Sequence, residues 1–182
     1  MNNLTNFEWY NETGRVIRFD DNIGENFFSR FQNNPLFYHD FVYDKVNEKN
    51  LRTGVRWLYN NSIIDIKNAK ICSLPTPKMD KVIVTTSELI GEYHQIKYTT
   101  TIYNADGCVY KVVEMPDPIA PFWGRGPVKG EKPDVDEAYW CKNEVNSEFS
   151  IIMELIYHSC WEQRYFNPET GKFGDLYSYG YY

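Results

Sequence analysis

The chain has 182 residues, 42% hydrophobic and 17% aromatic, and a formal net charge of −6. That length fits a single domain, residues 1–182, with a sizeable core, because the buried fraction rises with chain size. The acidic balance repels a phosphate backbone, the basic residues form no patch, and no apolar run approaches the roughly 18 residues of a membrane helix, so neither direct nucleic-acid binding nor a membrane span is expected.

Taken in chain order, the first element is a turn. YNETGRVI at 10–17 shares its grammar with YNADGCVY at 103–110 and FNPETGKF at 166–173. Each has an aromatic residue, an Asn, a polar turn closed by Gly, and a return to apolar residues. Asn and Gly supply the Asx-turn and the positive φ that reverse a strand, so three hairpins are expected. Their unequal separations argue against a tandem repeat. RYFNPETGKF, the third copy with its two preceding residues, resembles the turn unit of the tyrosine-aspartate (RHS-type) repeats of bacterial wrapping shells, with Asn167 where that family usually carries Asp. The resemblance implies a hairpin over that stretch and no function.

Residues 24–33, GENFFSRFQN, place Phe27, Phe28 and Phe31 at helical offsets and stop at Asn33, Asn34 and Pro35. A short N-terminal helix is expected there. LFYHDFVYDKV at 36–46 carries both helical and alternating patterns; helix is the preferred reading. From residue 53 the period becomes 2. TGVRWLYNNSIIDI reads as two strands around an Asn60-Asn61 turn, and KVIVTTS at 81–87, EYHQIKYTTTIY at 92–103 and CVYKVVEM at 108–115 complete a five-strand antiparallel meander at the centre of the fold.

PDPIAPFWGRGPVKGEKP at 116–133 contains five Pro and three Gly, more missing N–H groups than a helix or central strand absorbs. A long irregular loop of this kind is uncommon unless it has a function. NSEFSIIMELIYHSCWEQR at 146–164 puts Phe149, Ile152, Met153, Ile156 and Cys160 on one helical stripe behind a capping Asn146 or Ser147, although Phe149, Ile151, Met153, Leu155 and Tyr157 also alternate. A longer C-terminal helix is preferred. Residues 174–182 then form an aromatic strand or arm, with Tyr177, Tyr179 and Tyr181 as one row of rings.

No residue set names a reaction. His39, His94 and His158 have no converging second ligand in the sequence, and CxxC, HxxxH and HxH pairs are absent, so no metal site is expected. GRGPVKGEK lacks the consecutive N–H donors and the helix start of a phosphate loop. The acidic pairs at Asp20-Asp21 and in DVDE at 134–137 read as solvated faces. Cys72, Cys108, Cys141 and Cys160 are widely spaced and read as thiols, and MNNLTNFEWYNE has no signal-peptide pattern, which points to a cytoplasmic or virion location.

The expected fold is therefore α+β: an antiparallel meander of about six to eight strands, or a half-open barrel, with a short N-terminal and a longer C-terminal helix on one face. The expected function is non-enzymatic and needs no cofactor. The chain would be a structural subunit docking into a multi-subunit protein assembly, such as a bacteriophage or virus particle. Its candidate partner-binding residues are Phe122, Trp123 and Arg125 in the loop and Tyr177, Tyr179, Tyr181 and Tyr182 in the tail, since aromatic rings and Arg dominate interface hot spots. The alternatives are a small-molecule-binding or catalytic barrel using His94, Tyr98 and Tyr110, and an immunity or antitoxin protein whose acidic surface meets a toxin.

Overall fold

The computed structural model describes residues 3–19, 53–70, 72–90, 95–122, 126–128, 130–142 and 148–182. Over these residues the chain is all β, with twelve strands in three four-stranded antiparallel sheets and no helix. The α+β expectation gives way to this arrangement. The helices expected at 24–33 and 36–46 lie outside the described residues, as do Trp123, Arg125, His39 and His94.

The first sheet has the order β2-β1-β3-β4, from β1 (Thr5–Asn11), β2 (Val16–Arg18), β3 (Thr53–Tyr59) and β4 (Ser62–Lys67). The second has the order β5-β6-β7-β8, from β5 (Leu74–Pro75), β6 (Lys81–Ile90), β7 (Gln95–Asn104) and β8 (Val109–Val112). The third runs β12-β11-β10-β9, from β9 (Asp134–Lys142), β10 (Phe149–Ile156), β11 (Cys160–Asn167) and β12 (Lys172–Tyr181).

The shared turn grammar is realised three times, in the β1–β2, β7–β8 and β11–β12 hairpins. Asn11 Oδ1 accepts from the backbone N–H groups of Thr13 and Arg15, and Asn167 Oδ1 from those of Glu169 and Thr170. In the middle copy Asp106 takes this role, accepting from Cys108 N. Gly14, Gly107 and Gly171 close the turns at φ of 83°, 84° and 66°. Asn60 and Asn61, both at positive φ, turn β3 into β4 as their sequence predicts.

The central five-strand meander is corrected. Its strands exist, but β3 and β4 belong to the first sheet while β6, β7 and β8 belong to the second. Between them Pro75 and Pro77 withhold ladder N–H groups, and Asn68 and Met79 turn the backbone through positive φ. The chain consequently leaves one sheet and starts another, and among the described residues no half-open barrel forms.

In place of the helix expected over 146–164, the described residues there form a hairpin, β10–β11, closed by Tyr157 N donating to Cys160 O at 2.8 Å. A helix would put only one stripe of this segment in the core. The strand buries Ile151, Met153 and Leu155 on one face and Ile152 on the other, with each of the four at most 1% exposed. Three β-branched Ile residues in six positions add to that preference.

Indole N–H groups tie the sheets together. Trp9 and Trp57, from the first sheet, donate to Ser73 O and Ala105 O beside the second, each at 2.7 Å. Trp140, from the third, donates to Pro75 O at 2.8 Å. Phe19, just after β2, meets the Trp140 ring edge-on at 5.1 Å, so the first and third sheets also touch. Strand β6, with Val82 through Thr85 buried on both faces, lies in the shared core.

Candidate functional site

The third sheet ends in β12, which pairs with β11 on one side; among the described residues no strand pairs with its other side. Several other outer strands are shorter: β4 has six residues, β8 four, β2 three and β5 two, against ten for β12. Strand β9, at the opposite margin of the same sheet, is braced by Lys70 Nζ donating to Val135 O and by the Trp140 indole. From Leu176 onward the last strand has neither charge nor proline, the usual devices that blunt an open edge.

The tail tyrosines do not form one row. Gln163 pairs with Ser178 and Arg164 with Leu176, so Tyr177 is the extra residue of a β-bulge. Its ring meets that of Tyr165 edge-on at 5.7 Å, on the outer face of the sheet. Tyr179 pairs with Glu162 and Tyr181 with Cys160, both buried, so these two rings stand on the core-facing side at its margin. Tyr182 is 75% exposed, and its N–H reaches Ser159 O.

The Pro/Gly loop folds back over the core-facing side. Phe122 packs edge-on against Tyr157, Tyr179 and Tyr181 with centroids 5.8 to 6.2 Å away. Glu162, fully buried on β11, holds the loop: its Oε2 accepts from Ile119 N and Ala120 N at 3.1 and 3.0 Å, and its Oε1 from the Tyr157 hydroxyl at 3.3 Å. Arg164 stands 3.6 Å from Glu162 and donates to Asp117 O and Gly174 O. Further along, Glu131 accepts from His158 N and Val128 N, bonds that lower its carboxyl pKa. Asp117 and Lys132 close the base of the loop at 2.6 Å. Phe122 thus covers the sheet margin of this chain, while Trp123 and Arg125 are outside the described residues.

The outer face of the same sheet carries Tyr139, Trp161, Tyr165 and Tyr177 around a polar chain. The Tyr139 hydroxyl donates to Gln163 Oε1, and Gln163 Nε2 donates to Glu154 Oε2 at 2.7 Å. Burial pushes the Tyr139 phenol far up. Glu154 stands directly across from Glu137. Partial burial of its hydroxyl end and the charges of Glu154, Asp136 and Glu137 push the Tyr182 phenol up to about 12. Tail and carboxylates therefore share one surface. Of its residues the sequence reading found Tyr177 and Tyr182 only; reading β10–β11 as strands would have put Trp161, Gln163 and Tyr165 on one face by alternation.

The other candidates do not assemble. Tyr98 and Tyr110 carry Lys70 and Lys81 over their rings, at 4.5 and 5.2 Å, and the Tyr110 hydroxyl donates to Glu169 O. A cleft of roughly 770 Å³ lies elsewhere, between the 76–80 turn and β10–β12, with Phe149 and Phe173 in its wall and Lys78 and Lys172 at its rim. Among the described residues no three His, Cys, Asp or Glu side chains gather as metal ligands, and no helix is long and apolar enough to cross a membrane. No family model matches the chain, and neither the curated proteins nor the solved structures provide a match.

Proposed function

We propose that the chain is a non-enzymatic interaction subunit that docks into a larger protein assembly through the β12 margin of its third sheet. The carrying observation is a ten-residue outer strand whose uncharged second half displays Tyr177, 48% exposed, and runs directly into Tyr182, 75% exposed. Backbone groups on such a margin recruit a partner strand, and exposed rings supply large contact area with little conformational entropy to lose. No disulfide forms among the described residues, which fits a reducing compartment, and we place the subunit in the cytoplasm. A virion or bacteriophage setting draws no support from the fold or the comparisons, and is not retained.

The test is recovery of the chain from its native source under gentle conditions, with native mass spectrometry of what accompanies it. A stoichiometric protein complex is expected, dissociated by combining Tyr177→Ala and Tyr182→Ala with little change in melting temperature. A monomer at every concentration, carrying no partner, contradicts the reading.

A further inference from the structure

We propose that a hollow on the first sheet, lined by Arg18 and Arg56, binds a small phosphate monoester. The two guanidinium groups hold its phosphate, and its apolar body rests on Leu58 and Ile63.

Strand register brings the two arginines together, although they are scattered in the sequence. Glu8 on β1 is the cross-strand partner of Arg18 on β2 and of Arg56 on β3, so one carboxylate stands between two arginines on the face opposite Trp9 and Trp57. Arg18 Nε donates to Glu8 Oε1 at 2.6 Å and Arg56 Nε donates to Oε2 at 2.7 Å, which occupies both oxygens. Glu8 is only 6% exposed. Burial would raise its carboxyl pKa, but the hydrogen bonds and charges of Arg56 and Arg18 outweigh it and lower it, so Glu8 is ionised at neutral pH. Arg56 also lies over the Tyr10 ring, 5.4 Å from its centre, a second restraint on that side chain.

The donors that Glu8 leaves over define the ligand. Each arginine reaches Glu8 through Nε, and among the described residues the Nη groups of both make no hydrogen bond. Asp65, beyond Arg56 in the same row, accepts the Tyr10 hydroxyl and forms no ion pair with either arginine. Two arginines against one carboxylate leave the Arg18–Glu8–Arg56 set with a net positive charge. One guanidinium fork matches the two oxygens of a carboxylate. Two forks on different strands call for an acceptor with oxygens on several sides, which a tetrahedral phosphate provides.

The rest of the lining is neutral. Asn6, at φ 52° in the β1 bulge, lines the same hollow, and its side-chain amide has no partner among the described residues. Bulges of this kind re-aim a side chain and recur beside binding sites. Leu58 and Ile63 face each other across β3 and β4, with Ile63 67% exposed, and supply an apolar wall. The hollow measures roughly 300 Å³, at the small end of ligand pockets, which limits the body to about one ring. The overall charge of −6 opposes an anion at long range, but within a Debye length of about 8 Å the two guanidinium groups dominate.

The experiment titrates the full chain with phenyl phosphate, inorganic phosphate and benzoate by calorimetry, in a low-salt buffer free of phosphate. Expected is saturable binding of phenyl phosphate, about tenfold weaker for inorganic phosphate and weaker again for benzoate, with all affinities falling as salt rises. Arg18→Lys and Arg56→Lys keep the charge and lose the fork, and each should weaken phenyl phosphate about tenfold or more. Arg18 is 77% exposed at its side chain, so Arg18→Lys should leave the melting temperature unchanged and separates binding from folding. Equal affinity for inorganic phosphate would overturn the apolar body and leave free phosphate as the occupant. Benzoate binding as tightly as phenyl phosphate would overturn the choice of phosphate. Phenyl phosphate binding that ignores both Lys variants, or no saturable binding of any of the three, would overturn the site.

Discussion

Glu162 has no exposed surface, and its Oε2 accepts two consecutive backbone N–H groups from a proline-rich loop. A carboxylate in that position replaces the strand partner that residues 119 and 120 lack, because an unmade buried hydrogen bond costs about 1–3 kcal/mol. Removing it leaves those two amides and the Tyr157 hydroxyl without their acceptor and strips Arg164, 7% exposed, of its nearest countercharge. Glu162→Ala should therefore lower unfolding free energy by about 3 kcal/mol, measured by urea titration. Glu162→Gln, which keeps an acceptor oxygen, should cost less. Limited proteolysis between residues 117 and 122 should accelerate in the Ala variant; equal cleavage rates would mean that other contacts hold the loop. The sequence marks this loop by its prolines but not its anchor, since a glutamate inside WEQR looks like any solvated charge until β11 is placed.

At the scale of elements, turns were the legible part of the sequence. Asn-to-Gly spacing located three hairpins and Asn60-Asn61 a fourth, because each turn is decided by its own residues. The β10–β11 hairpin was missed because its turn, around His158 and Ser159, has neither Gly nor Asn, and because a dense apolar run satisfies helical and alternating periods together. The division into three sheets was not legible either. It depends on distant partners, such as the Trp140 indole reaching Pro75 O, which leave no local trace. A second cross-sheet tie shows the same. The third hairpin turn docks on the second sheet, where Lys81 Nζ stands 2.9 Å from both Asp80 and Glu169, and Lys111 Nζ donates to Thr170 O. Burial alone would lower the Lys81 pKa, but the two carboxylates outweigh it and raise it; Asp80 is lowered, with Lys81 and Thr76 overcoming its burial. A raised lysine contributes stability that is complete below its unfolded pKa, near 10.4, and lost as pH rises through the higher folded value. The depressed Asp80 contributes above about pH 4 and loses its contribution as pH falls through its lower folded value. Glu169→Gln should thus lower stability by about 1 kcal/mol at pH 7. That deficit should shrink in strongly alkaline buffer, as followed by melting temperature across pH. A deficit independent of alkaline pH would show that packing, not charge, carries this tie.

At the scale of the whole molecule, three sheets meet around one core of buried aromatic and branched residues, and their outer strands differ in how they are protected. The first two sheets end in short strands. The third ends in ten residues with the Pro/Gly loop folded over one side and an outer face of rings and carboxylates on the other. The candidate site was half legible in the sequence. Tyrosine density at 177–182 pointed to the right strand, but the bulge at Tyr177 sends its ring to the opposite face from Tyr179 and Tyr181, and a register shift leaves no signature in composition. The central claim, that β12 is where this chain meets another protein, is tested most directly by backbone hydrogen exchange on the isolated chain and on the chain inside its native complex. Exchange over Leu176–Tyr181 should slow by about tenfold or more in the complex, with β4 and β8 unchanged. Protection of β4 or β8 with β12 exchanging as fast as in the isolated chain would contradict it.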